Sequence, residues 1–209
     1  MHRFAVGHAD ITGDDFGGIF AKAINGEHRS SPLGIADVTF DNCAWSVKTV
    51  GSQAPHQAAN VRLISGRNSP DYSLGIHDPH ANPEATGRAV LSIWNARVNE
   101  ALDEYDDLRV AVFIRDMTTR HFLIFEEEAG RFAPGDYQWA FNSNGNLEGS
   151  DADRRHVFTW QPHGSQFTIF RRVPPSARKF RIVPNVPVVT EEAILAYAKF
   201  RPDWIEIVR

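Results

Sequence analysis

An aspartate and a lysine sit on two neighbouring runs of alternating apolar residues, Asp37 in LGIADVTF and Lys48 in CAWSVKTV. Asp41-Asn42 between them suits a two-residue hairpin turn. That register sets Phe40 opposite Cys43, Val38 opposite Trp45 and Ala36 opposite Val47, which makes one apolar face. Side chains alternate along a strand, so the other face carries Asp37 opposite Ser46, with Lys48 two residues further on. Opposed Cβ atoms are roughly 5 Å apart, so a lysine diagonal to the aspartate can reach its carboxylate. A carboxylate can hold a divalent metal on a phosphate, and such a metal acidifies a bound water. An ammonium alongside orients that water or stabilises the pentacovalent charge. One carboxylate is usually too few for Mg²⁺. Glu27, ten residues before Asp37, is the candidate second acid, placed after a helix where it can swing over the polar face. The plainer alternative is a cross-strand ion pair, worth under about 1 kcal/mol.

These residues need elements to hold them. TGDDFGGIFAKAIN has a cap in Thr12 or Asp14, an apolar stripe of Phe16, Phe20, Ala23 and Ile24, and a stop at Gly26, and so predicts a helix. Residues 51–86 are rich in Gly, Ser, Asn, Pro and His, with order expected only in NVRLIS. GRAVLSIWNARVNEALDEY repeats Val90, Trp94, Val98, Ala101 and Tyr105 at helical spacing. LRVAVFIRDM and HFLIFEEEA read as strands, the first apolar enough to be central. DYQWAF, HVFTWQ, SQFTIFRRV and RKFRIV are four further strand candidates, and TEEAILAYAKF is a short helix capped by Thr190. The order describes an α/β (α+β) domain with a central mixed β-sheet flanked by helices. No clean linker divides the 209 residues, so one domain is expected, with a core at about 10–128 and a β-rich part at about 136–209.

Glu27, then Asp37 on one strand, then Ser46-Val47-Lys48 on the next resembles the PD-(D/E)xK nuclease superfamily, and by size its type II restriction endonucleases. The resemblance covers residues 14 to about 115. It implies a core of helix, β-meander, crossover helix and strand, with extra C-terminal β-strands. It also implies Mg²⁺-dependent cleavage of double-stranded DNA. Carried over, Asp37 and Glu27 become metal-binding acids, Lys48 the family lysine, and the Val47 carbonyl a further ligand. Two positions depart from the pattern. Ala36 stands where the family has proline, and Ser46 where it has an acid, as in S-x-K variants. Residues 49–70 contain no Asp or Glu to replace that acid. Site-specific double-strand cleavage needs two such sites, so a homodimer is expected.

Arg62, Arg67, Asn68 and Tyr72 surround a glycine-containing stretch just beyond Lys48 and suit a phosphate-gripping loop. Gln161, His163, Ser165, Gln166, Arg171 and Arg172 lie on and between two strands. Gln and Arg read base edges bidentately, and a β-hairpin fits the major groove. The chain is acidic overall, with net charge −4, but residues 154–181 hold six arginines, one lysine and no acid. A non-catalytic nucleic-acid-binding module built on that third is therefore the alternative reading. A third reading places a transition metal on His77, His80 and His56.

No apolar run approaches the ~18 residues of a membrane span, and MHRFAVGHAD has no signal-peptide apolar stretch. The lone Cys43 fits a reducing, cytoplasmic setting and is expected buried and inert. The sequence has no P-loop, GxGxxG, GxSxG or HExxH motif. The common NTPases, dinucleotide enzymes, esterases and zinc proteases are thereby disfavoured.

Overall fold

A computed structural model describes residues 10–29, 34–183, 189–199 and 201. Helix α1 (Gly13–Ile24) opens with a capping box. The Thr12 side chain accepts from Asp15 N, and the Asp15 side chain accepts from Thr12 N. It ends with Asn25 in the left-handed region (φ 57°), one residue before the expected glycine stop. A two-residue strand β1 (Glu27–His28) follows. Next come the expected hairpin strands β2 (Val38–Phe40) and β3 (Cys43–Gly51), joined across Asp41-Asn42. Phe40 pairs with Cys43 and Val38 with Trp45, the register that the alternation predicts.

Strand β4 (Asn60–Arg67) and the short helix α2 (Pro70–Leu74) lie in the segment expected to be largely irregular. The long helix α3 (Pro83–Glu104) starts four residues earlier than its apolar period suggested, because Asn82 caps it through Ala85 N and Pro83 fits the first helical position. Strands β5 (Asp107–Asp116) and β6 (His121–Glu128) follow. The remaining strands are β7 (Gln138–Phe141), β8 (Leu147–Ser150), β9 (His156–Gln161), β10 (Gln166–Arg172) and β11 (Arg178–Arg181). Helix α4 (Glu191–Tyr197), capped by Thr190, comes last. β8, in LEGS, has no apolar alternation to announce it.

The strands form two sheets rather than one. The first is mixed, in the order β1-β2-β3-β5-β6-β11; β3 and β5 run parallel and α3 lies between them in sequence, as a crossover requires. The second is antiparallel, in the order β4-β10-β9-β8-β7. Two segments thereby cross the expected division at about residues 128–136. RKFRIV supplies β11, which returns to the first sheet beside β6, and NVRLIS supplies the edge strand of the second sheet beside β10.

Helix α1 covers one face of the mixed sheet, packing Phe16 and Ala21 with Val38, Trp45, Val47, Phe113 and Phe122. The opposite face shares a larger core with α3 and the second sheet. Ala44, Val110 and Val112 meet Val90, Leu91, Trp94 and Val98 there, along with Leu63, Phe158, Trp160 and Phe167. Gly87 lets α3 seat against the second sheet, since a Cβ there would lie 2.1 Å from the Trp139 ring. Among the described residues no helix is long and apolar enough to cross a membrane.

Candidate functional site

The face of β3 that carries Ser46 and Lys48 is the face turned towards α3. Ser46 pairs with Val110 and Lys48 with Val112, and both valines belong to the larger core. The hairpin therefore has two covered faces, not one apolar and one solvated. Ser46 is 2% exposed and Lys48 keeps 23% of its side chain in contact with solvent.

Asp37 completes a compact cluster. Its backbone N–H donates to the Trp45 carbonyl (2.8 Å). Beyond that point its carboxylate takes over the role of strand partner: Oδ2 accepts from Val47 N (2.7 Å) and from Ser46 Oγ (3.3 Å). Lys48 Nζ donates to Ser46 Oγ (2.9 Å) and lies 3.9 Å from Asp37 Oδ2. Burial pulls the Lys48 pKa down. The Asp37 charge opposes that pull, and the Arg97 charge adds to it.

Arg97 is the residue that sequence inspection missed. It projects from α3 on the buried side, three residues after Trp94, with its guanidinium 5.6 Å from the Trp94 ring. Its Nη2 donates to Asn68 Oδ1. Its Nε is buried without a hydrogen-bond partner, and burial lowers its pKa. Gly66 makes room for it: φ is +99°, and a Cβ there would lie 2.5 Å from Arg97 Nη1. The available signal was an arginine adjoining the stripe of Trp94 and Val98, where a solvated helix face would not place it.

Asn68 is buried completely. Its N–H donates to Ser165 O (2.8 Å), its carbonyl accepts from Trp160 Nε1 (2.7 Å), and its Nδ2 donates to Val90 O (2.8 Å). It clamps β4, α3 and the β9–β10 hairpin together, which corrects the expectation of a DNA contact at this position. Arg171 is half-buried and already engaged within the protein: its Nε lies 3.1 Å from Glu127 Oε1 and its guanidinium sits 5.3 Å from the Phe132 ring. Burial raises the Glu127 pKa against the pull of Arg171. Ser165 turns the hairpin at φ 55° and spends its carbonyl on Asn68.

The other nucleic-acid candidates converge on the second sheet. Arg67 pairs with Gln166, and Gln166 with Gln161, so the three cross adjacent strands near the hairpin tip that carries exposed His163. Arg62 faces Phe170, and exposed Arg172 pairs with Asn60. Tyr72 is 94% exposed on α2.

Glu27 is placed elsewhere. It pairs with Thr39 on β1, while Arg29 N bonds Asp37 O. This pairing leaves Glu27 in a surface cleft with Arg29, Glu104 and Tyr105. Arg29 in turn bonds Glu104 (3.0 Å) and lies over the Tyr105 ring. The expected second acid is therefore not brought to Asp37, because the short β1 ladder fixes its position. The histidines do not gather either. His77 bonds Asp71 (2.6 Å), His80 stacks on Phe141, and His56 Nε2 bonds the carbonyls of Phe122 and Phe180. Cys43 is half-buried against the α1 core.

Whether Asp37 suits Mg²⁺ depends on its remaining donor atoms. Oδ1 accepts no hydrogen bond among the described residues. A strand residue turns its N–H and C=O to the same edge, so Val47 C=O lies on the Asp37 side too. Mg²⁺ commonly takes one or two carboxylates and fills its shell with waters and substrate phosphate oxygens. This donor set suits an ion shared with a bound phosphate, not a protein-built cage. Among the described residues no group of three His, Cys, Asp or Glu could hold a metal.

The chain matches no protein-family model, no curated protein and no solved structure.

Proposed function

We propose that the protein is a Mg²⁺-dependent, sequence-specific endonuclease of the restriction type that hydrolyses phosphodiester bonds in double-stranded DNA as a homodimer. The observation that carries this reading is the approach of Asp37, just before β2, to within 3.9 Å of Lys48, with Ser46 between them, where Lys48 stands on β3, which runs parallel to the strand after the crossover helix. The order of helix, hairpin, crossover helix and strand agrees with the restriction-endonuclease-like core that the resemblance implies.

When bound, the Mg²⁺ ion would polarise the scissile phosphate and acidify a water. Asp37 would hold that ion through Oδ1, with the Val47 carbonyl beside it, while Oδ2 stays tied to Val47 N and Ser46. Ser46 holds Lys48 in a fixed rotamer. The ammonium has two further protons to direct at the attacking water and at the charge developing on phosphorus. Strands β4, β10 and β9 of the second sheet and the β9–β10 turn, with Arg62, Arg67, Gln161, His163, Gln166 and Arg172, would lie along the duplex.

The test is cleavage of unmethylated and methylated phage and plasmid DNA with Mg²⁺ or EDTA, beside the folded Lys48→Ala protein. Discrete metal-dependent fragments that disappear with Lys48→Ala are expected. No cutting of any substrate would overturn the reading.

A further inference from the structure

A cleft of about 690 Å³ is lined by residues of both sheets, and none of them belongs to the Asp37–Lys48 cluster. Its size falls within the range of about 300–1,000 Å³ usual for small-molecule sites. Part of the lining is aromatic. The His156 and Phe170 rings pack with their centroids 4.4 Å apart. His156 Nε2 bonds Phe158 O (2.7 Å) and Thr159 Oγ1 (2.9 Å), which fixes the ring. A second part is an ion pair between the sheets, Glu127 from β6 with Arg171 from β10. Glu127 Oε1 lies 3.1 Å from Arg171 Nε but makes no hydrogen bond, so this carboxylate retains acceptor capacity. Arg155 also lines the cleft, but it is spent on Asp151 (2.8 Å) and Asp153 (2.9 Å). Arg172 is different. It is exposed on the ladder beside Asn60, lines the same cleft, and has no acidic partner among the described residues.

We propose that this cleft binds a single nucleoside monophosphate unit, with its base against the His156–Phe170 pair, its phosphate on Arg172 and an amino group of the base donating to Glu127. A fixed aromatic surface beside an unpaired arginine matches a ligand that is planar at one end and anionic at the other. The guanidinium fork meets two phosphate oxygens at once. Base–aromatic stacking tolerates every base, so it contributes affinity without choice. The choice comes from Glu127, because an ionised carboxylate only accepts hydrogen bonds. It takes the N4 amino group of cytosine and repels the O4 carbonyl that uracil carries in the same place. Arg171 acts as a positioning residue: its own guanidinium is held over Phe132, and its charge favours the ionised form of Glu127 against burial. The site does not rest on the nuclease reading. A free nucleotide and an unstacked nucleotide of a DNA strand present the same chemistry to it.

The experiment is calorimetric titration of the full chain with cytidine monophosphate, uridine monophosphate, cytidine and inorganic phosphate at equal ionic strength. Saturable binding of cytidine monophosphate is expected, tighter than cytidine or phosphate alone and about 5-fold or more tighter than uridine monophosphate, the scale of one discriminating base contact. Arg172 is exposed, so Arg172→Gln keeps the fold, and it should weaken both nucleotides about 10-fold through the lost charged hydrogen bond. Glu127→Gln should retain binding and cancel the preference for cytosine. No binding of cytidine monophosphate, equal affinity for inorganic phosphate, equal affinity for the two nucleotides, or an affinity that Arg172→Gln leaves unchanged overturns the proposal. A duplex with one cytosine opposite an abasic position tells the two sources apart. Competition with bound cytidine monophosphate supports the cleft as a seat for a strand nucleotide, and lack of competition supports it as a seat for a free one. If nucleotide binds but the protein cuts no DNA, the cleft stands and the nuclease reading falls. If DNA is cut but no nucleotide binds, the cleft falls and the nuclease reading stands.

Discussion

Asn68 Oδ1 accepts a hydrogen bond from Arg97 Nη2, and that bond ties the two halves of the molecule together at the candidate site. Asn68 follows the edge strand of the second sheet, and Arg97 stands on the helix that covers Lys48. Asn68→Ala should remove this bond and the one to Val90, leaving a buried guanidinium further under-satisfied. A loss of about 1–3 kcal/mol is expected, more if the charge is not re-solvated. Urea unfolding against wild type measures it, and an unchanged midpoint would show that the clamp carries no energy.

Gly66 holds a conformation that only glycine adopts cheaply, and a Cβ there meets Arg97. Gly66→Ala should therefore destabilise the fold by about 1–3 kcal/mol, because the guanidinium must move. Urea unfolding checks this, and a wild-type midpoint would show that Arg97 gives way freely.

Lys48 should leave a signature in the pH dependence of stability. Burial holds its pKa in the folded state below the usual 10.5. Between that lowered value and 10.5 the unfolded chain keeps the proton that the folded chain has lost. In that window the stability contributed by this group rises with pH. Lys48→Met lacks the effect, so wild type should gain stability relative to Lys48→Met as pH climbs through the window. Paired urea titrations at stepped pH check this, and parallel profiles would mean that Lys48 titrates as a solvated lysine.

Activity should move the opposite way. If the ammonium form orients the water, cleavage falls as pH passes the lowered Lys48 pKa. Arg97→Met, which removes a neighbouring positive charge, should raise that pKa and carry the alkaline limb to higher pH. A limb at the same pH in both proteins would assign the titration to another group.

Metal affinity should depend on DNA. With one carboxylate at the site, calorimetry of the free protein with Mg²⁺ should show only weak binding, and a bound DNA duplex should strengthen it. Asp37→Asn should remove the DNA-dependent part and lower cleavage by at least about 10²-fold, while leaving DNA binding in place. Tight Mg²⁺ binding without DNA would point to ligands beyond Asp37 and Val47.

The hairpin was legible in the sequence because its determinants are local. Alternation with a period of two and a two-residue turn are enough to place Asp37, Ser46 and Lys48 on one face, and the pairing of Val38 with Trp45 agrees. Both longer helices announced themselves for the same reason, α1 through its cap and apolar stripe and α3 through its apolar period alone, so that its Asn82 cap and first turn were not foreseen. What covers the Lys48 face is not local. Arg97 stands forty-nine residues further on, on α3, and Asn68 follows a strand of the other sheet. Glu27 illustrates the limit: proximity in sequence suggested that it would reach Asp37, but the β1 ladder pairs it with Thr39 and leaves it beside Arg29. Strand partners of β4 and β11, and the internal pairing of Arg171 with Glu127, depend likewise on which sheet each segment joins. Residue type and spacing decided which groups share a strand face. Only the packing of distant elements decided which of them are buried, which are paired, and which retain donors for a ligand.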